Sequence, residues 1–281
     1  MITSRTFLLL LLPLMQQFSL AASDTLALQP AVKRLIVLGD SVLKGSNDSI
    51  REKYNQTFSL ALDSILHVAG GAELSFSQVK ALSVATSSDK NVKALTWLVQ
   101  LNRGTQYFYY GYILYKSDPK AAMKVVKLEQ NSSLNREELE MLKSDSANWP
   151  GCIYYDIHLE KYKKKNYYML LGWAPQSNFI TRKVIEPLVA SPTKLIIGAP
   201  VIKAGGKART RLVFEYNAQA TMSLKYNEKV KMIVMDHLSS SDPRPESKGM
   251  YALYGPDLSY DGLKFSKGNW LLMKDIDIRN N

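Results

Sequence analysis

The stretch Cys152-Ile153-Tyr154-Tyr155-Asp156-Ile157-His158-Leu159-Glu160 decides the reading of this chain. Ile153, Tyr155, Ile157 and Leu159 alternate with Tyr154, Asp156, His158 and Glu160. Successive side chains of an extended backbone point to opposite faces, so period two sends one set to a core and the other to water. A half-buried antiparallel strand has this form. The run Lys161-Tyr162-Lys163-Lys164-Lys165 turns the chain back into a second strand over 167–173. Further β-like runs follow at 194–197, 211–216, 221–225, 230–236, 250–254, 262–265 and 270–274. Asn217-Ala218-Gln219 and Asn227-Glu228-Lys229 are turn-like, which predicts a meander through the three middle runs. Ala204-Gly205-Gly206-Lys207 lacks the first Gly and the final Ser or Thr of a phosphate loop and is expected to be a hairpin tip.

Working back toward the N-terminus, 146–151 is a turn-like break and 134–142 a short polar helix. Residues 105–114 (TQYFYYGYIL) read as an aromatic strand. Residues 28–70 show apolar positions at helical spacing, with a capping box at Ser49-Ile50-Arg51-Glu52 and a stop at Gly70-Gly71. The expected fold is mainly β, α+β overall. It is an antiparallel meander, barrel- or sandwich-like, with an N-terminal helical portion. Three segments follow: 1–21, 22–146 and 147–281, the last either separate from the second or one domain with it.

The first of these reads as a secretory signal peptide. Arg5 supplies its charge, residues 7–15 its apolar run, and Ser19-Leu20-Ala21 a small-x-small cleavage site. Export to a periplasm or the outside medium is the expectation, with no transmembrane span in the mature chain. The 281 residues are 46% hydrophobic and 10% aromatic, which excludes a disordered chain. Cys152 is the one cysteine, so no internal disulfide can form. Three histidines without ligand spacing predict no metal site, and no cofactor is expected. The net charge of +11 would suggest nucleic acid in a cytosolic protein. An exported chain points instead to an anionic envelope polysaccharide or lipid, or to a protein partner.

Two candidate chemistries stand out. Leu35-Ile36-Val37-Leu38-Gly39-Asp40-Ser41 resembles the nucleophile block of GDSL esterases, with Ser41 as the nucleophile. That family also uses an Asp-x-x-His base, which this chain lacks, and its Gly-x-Asn-Asp block lies on a later strand, whereas here Gly45-Ser46-Asn47-Asp48 follows Ser41 almost at once. A helix through Gly39-Asp40-Ser41 is the competing reading. Asp257 and Asp261 share one loop-like stretch and could flank a sugar or a cation. Asx-type turn capping accounts for them equally simply. For ligand binding the best polar constellation is Tyr154, Asp156 and His158, with the Lys163 and Lys164 turn and Trp173 as further candidates.

From Trp149 onward the chain resembles a family of uncharacterised exported proteins of Gram-negative bacteria. The pieces that carry this are Trp149-Pro150-Gly151-Cys152-Ile153-Tyr154-Tyr155, Tyr168-Met169-Leu170-Leu171-Gly172-Trp173, Phe214-Glu215-Tyr216, Met222-Ser223-Leu224-Lys225-Tyr226, Ile233-Val234-Met235-Asp236-His237-Leu238, and Tyr254-Gly255-Pro256-Asp257 with Tyr260-Asp261. The resemblance implies export and a largely β architecture, with no activity attached. The function expected is an exported, non-catalytic binding or scaffolding protein of the bacterial envelope. The alternative is a secreted or periplasmic hydrolase, either a GDSL-like esterase using Ser41 or a carboxylate-based glycosidase.

Overall fold

The computed structural model describes residues 26–131 and 134–278. The signal-peptide segment 1–21 lies outside them. The chain divides into two compact units, one ending at Leu82 and the other beginning at Ser83. The break at 146–151 therefore falls inside the second unit. No helix among the described residues is long and apolar enough to cross a membrane.

The first unit holds helices α1 (Gln29–Lys44) and α2 (Asp48–Leu66). Pro30 opens α1, where its missing N–H costs no helical bond. Asn47, not Ser49, caps α2: its side chain accepts the Ile50 amide at 3.0 Å. Leu35, Leu38 and Val42 of α1 and Phe58, Leu62 and Ile65 of α2 are buried. Gly39 keeps this packing close, since a Cβ there would stand 3.2 Å from Phe58 Cε2 and 3.1 Å from Ala81 Cβ.

The second unit is mainly β and is built from three sheets. The first sheet has the order β1 (Ser83–Thr86), β2 (Val92–Leu101), β3 (Gln106–Tyr115), β4 (Lys124–Leu128). A short helix α3 (Arg136–Met141) follows, with a capping box on Asn135 and Glu138. The second sheet contains β5 (Ile153–Tyr162), β6 (Lys165–Pro175), β7 (Ile180–Ala190), β8 (Leu195–Ile197) and β11 (Leu212–Asn217), in the order β11-β7-β6-β5 with β8 beside β7. The third runs β10 (Lys207–Arg209), β9 (Ile202–Ala204), β15 (Asn269–Met273), β14 (Tyr254–Ser266), β13 (Met232–Ser240), β12 (Leu224–Asn227). Neighbouring strands are antiparallel except β9 and β15.

The sheets stack as layers with the β5–β8 and β11 sheet in the middle. On β6, Tyr168 and Leu170 enter a core shared with Ala94, Tyr109 and Ile113 of the first sheet. The intervening Met169 and Leu171 enter a second core with Ile233, Leu263 and Trp270 of the third. β6 is thus dry on both faces, whereas the edge strand β5 keeps Asp156, His158 and Glu160 on a polar face, as its alternation predicts. A continuous apolar run, Met169-Leu170-Leu171, is what a doubly covered strand requires.

Three further differences from the sequence reading have identifiable causes. Residues 180–190 form β7, a central strand, although Arg182, Lys183, Glu186 and Pro187 interrupt its apolar pattern. Pro187 falls in the gap between β11, whose pairing stops at Ile185, and β8, whose pairing starts at Leu188, so no ladder amide is needed there. The expected meander breaks at its first turn: β11 pairs with β7, and only β12 and β13 continue side by side. Finally, β5 carries a bulge, with Tyr154 opposite Gly172 and Asp156 opposite Leu171. The extra residue, Tyr155, resets the faces, so Tyr154 turns into the first core. The Thr96 hydroxyl accepts the Tyr154 amide at 3.0 Å and Ser83 donates to its carbonyl at 2.7 Å, tying the first sheet to β5.

Asp89, in the β1–β2 turn, makes a second tie. It accepts from Ser87 at 2.7 Å, the Asn91 amide at 3.1 Å, Tyr168 at 2.9 Å and Asn166 at 3.1 Å. Burial alone would raise its pKa, but these donors outweigh it and hold the carboxyl below its ordinary value. A lowered folded-state pKa stabilises the fold above the unfolded value of about 3.9 and ceases to do so as pH falls through the folded one. We expect Asp89→Ala to cost about 1–2 kcal/mol at pH 7. In urea titrations the gap to wild type should narrow on acidification below that value. A gap that persists undiminished at pH 2 would refute the assignment.

Candidate functional site: a polar cleft at the edge of the middle sheet

In β5 the alternation downstream of the bulge places Asp156, His158 and Glu160 on one side. β5 is the edge strand of the middle sheet, and β12 is the edge strand of the third. Between them opens a cleft of about 790 Å³. Asp156, His158 and Glu160 line one wall; Tyr226, Glu228, Lys231, Lys264 and Phe265 line the other, and Thr86 and Ser88 complete the lining.

His158 is the organising group. Its ring stacks on Tyr226, with centroids 3.6 Å apart and planes 16° apart, and meets Trp270 edge-on at 5.8 Å. Its Nε2 lies 3.1 Å from Glu160 Oε1. The imidazole is therefore fixed on two sides by rings and on a third by a carboxylate. Burial, followed by the charges of Glu160 and Glu228, raises the Tyr226 pKa, so its phenol stays neutral. Opposite, Lys231 donates to Glu228 at 2.7 Å, and each holds the other in its charged form. Lys264 has no carboxylate partner among the described residues. The cleft thus presents carboxylate acceptors, ammonium and hydroxyl donors, and ring faces. A polar ligand with many hydroxyl groups meets complementary partners on each wall. Among the described residues no group of three or more His, Cys, Asp or Glu is arranged to hold a metal ion.

The structure gathers two of the six binding candidates, Asp156 and His158, in this cleft. Tyr154 does not share their face. It is fully buried, and its hydroxyl donates to Glu186 and accepts from Trp149 Nε1 at 2.9 Å. Lys163 and Lys164 form the exposed tip of the β5–β6 hairpin, and Trp173, 39% exposed, lies toward the far end of β6. Lys183 sits 4.1 Å over the ring of the bulged Tyr155, and burial lowers its pKa. Tyr226, Glu228, Lys231 and Lys264 lie far from β5 in sequence, and nothing local to them marks a site.

Ser41 lies on α1, and its hydroxyl donates to the Val37 carbonyl one turn back at 2.9 Å. Asp40 pairs with Lys44 at 3.5 Å, and Gly39 serves helix packing. The histidine of the same unit, His67, has Nδ1 at 2.9 Å from the Asp63 carbonyl. Asp257 accepts the Ser259 amide at 3.1 Å and its hydroxyl at 2.7 Å, an Asx turn. Asp261 is buried, with His237 Nδ1 at 3.0 Å on one oxygen and the Asp275 amide at 3.0 Å on the other. Both carboxylates are occupied by the fold. No protein-family model matches the chain, and neither does any curated protein or solved structure.

Proposed function

We propose that this chain is an exported, non-catalytic binding or scaffolding protein of a bacterial envelope, and that the cleft between β5 and β12 takes a saccharide. The observation that carries the reading is the wall of Asp156, His158 and Glu160 facing Tyr226, Lys231 and Lys264. The signal-peptide pattern and the resemblance to exported Gram-negative proteins supply the location. The alternative, a hydrolase using Ser41 or the Asp257 and Asp261 carboxylates, finds less support, because each of these groups is engaged in local hydrogen bonds.

Calorimetric titration with neutral and acidic envelope oligosaccharides tests the reading. We expect Asp156→Asn and Tyr226→Ala to weaken binding at least about tenfold, in keeping with about 1.4 kcal/mol per decade of affinity. Their thermal midpoints should remain near wild type. Wild-type affinity in both variants would reject the cleft. Ester or glycoside turnover that disappears in Ser41→Ala would replace this function with the hydrolase.

A further inference from the structure

The hydrogen-bonding register brings turns from all three sheets to one end of the second unit. Asn166 and Tyr168 of β6 bond Asp89 in the β1–β2 turn. A Cβ at Gly268, in the β14–β15 turn, would stand 2.8 Å from the Tyr167 hydroxyl. Tyr115 pairs with both Val92 and Lys124, which puts the β3–β4 loop at that end. Ala190 pairs with Leu195, and Asn227 with Met232, so the β7–β8 and β12–β13 turns join it.

These turns carry a charge distribution that composition alone conceals. Segments 87–91, 116–124, 160–167, 191–194, 228–231 and 264–269 hold thirteen lysines, four carboxylates and no arginine. Nine of the chain's eleven net positive charges therefore sit at one end. All but one of these lysines are exposed, and among the described residues only Lys231 is in an ion pair. The arginines are used differently: Arg182, Arg209 and Arg211 pair with buried carboxylates elsewhere in the fold.

The backbone adds a second, independent observation. Lys90, Lys163, Lys164, Lys231 and Lys267 all have φ between 47° and 63°, and all lie at this end. Left-handed positions favour Gly or Asn, and a two-residue hairpin tip such as 163–164 favours Asn-Gly. Lysine stands at five positions where local stability favours another residue. Strain of this kind points to function.

We propose that this end docks on the surface of an anionic phospholipid bilayer. The partner follows from the chemistry. Lysine is a point charge on a flexible stem and does not select a bidentate geometry, so a spread array of lysines suits a diffuse negative surface. Three stacked sheets spread the array over about 20 Å, since stacked sheets lie about 10 Å apart. Tyr162 and Tyr167, partly exposed beside the tips, have the amphipathic form that settles at a headgroup layer. The proposal rests on the reading of the protein as an envelope binding module. Lys231 and Lys264 of this array also line the saccharide cleft, so the test turns on Lys163 and Lys164, which do not.

Sedimentation of the full chain with vesicles tests it, using phosphatidylglycerol–phosphatidylcholine mixtures against pure phosphatidylcholine. The key variant is Lys163→Asn with Lys164→Gly, which removes two charges and installs the preferred turn. We expect it to bind mixed vesicles about 10–30-fold more weakly while its urea midpoint stays level or rises. Binding should vanish in 0.5 M salt. Asp156→Asn, a cleft variant, should bind vesicles like wild type, so loss of saccharide binding and loss of docking read separately. Equal binding to neutral vesicles, or a variant as tight as wild type, would overturn the proposal. So would a soluble anionic polysaccharide that binds this end more tightly than the vesicles do.

Discussion

Glu186→Ala should destabilise the second unit by about 3–5 kcal/mol, because it leaves a buried guanidinium without its counter-charge. Glu186 on β7 and Arg211 at the entry to β11 are each about 1% exposed. Arg211 Nε donates to Glu186 Oε1 at 2.5 Å, and the other carboxylate oxygen accepts the Tyr154 hydroxyl. The remaining guanidinium nitrogens donate to the Leu139 carbonyl and, at 2.8 Å, to the Ser144 hydroxyl. One ion pair therefore ties α3, the segment that follows it, β5 and β11 to β7. Global stability of domains is about 5–15 kcal/mol, so the loss is a large share of it. Arg211→Met should cost a similar amount by orphaning Glu186 and the acceptors. The double variant Glu186→Leu with Arg211→Met should recover much of the loss, since neither charge is then stranded. Urea unfolding of wild type, Glu186→Leu, Arg211→Met and the double variant closes the cycle and gives the coupling. Single variants that each cost under about 1 kcal/mol would show the pair to be solvated and the argument wrong.

Gly172→Ala should be the most disruptive single methyl addition in the middle sheet. A Cβ at that position would lie 2.0 Å from Cys152 Sγ and 3.2 Å from Tyr154 Cδ1. Both neighbours are buried, and Tyr154 is held by Trp149 and Glu186, so neither can swing away. Overpacking of this kind costs about 1–3 kcal/mol or more. Cys152→Ala removes the sulfur, so the double variant Cys152→Ala with Gly172→Ala should be more stable than Gly172→Ala alone. Burial, then the nearby Glu186 charge, raises the Cys152 pKa well above its ordinary value, which keeps the thiol unreactive in the folded protein. Its labelling by a disulfide reagent should be slow in wild type and many-fold faster in Gly172→Ala. Wild-type labelling and an unchanged midpoint in that variant would contradict the packing described here.

The two halves of this chain differ in how far pattern reading reaches. In β5 the apolar residues recur at backbone period, in β6 they run continuously, and strands form where those patterns lie. In α1 and α2 the helical spacing picks out Leu35, Val42, Phe58, Ile65 and Leu66, which are buried, but also Leu43 and Tyr54, which are exposed. β7 escapes the same reading because its charged residues have partners supplied by other strands: Arg182 meets Glu215 at 2.6 Å and Glu186 meets Arg211. A charge that looks solvent-facing in sequence is core once a distant chain segment neutralises it. The cleft follows the same logic. Asp156, His158 and Glu160 are legible as one polar face, but the bulge at Tyr155 removes Tyr154 from it. Tyr226, Lys231 and Lys264 arrive through the pairing of strands some 70–100 residues away.

By itself, then, the sequence determined where the two long helices and strands such as β3, β5 and β6 lie, because side-chain direction repeats with a period set by local backbone geometry. It also determined that the chain is strongly basic. Which sheet each strand joined, which carboxylate met which cation, and that the lysines converge at one end were decided only by the tertiary structure. Those outcomes depend on contacts between residues far apart in the chain, and no local period encodes them.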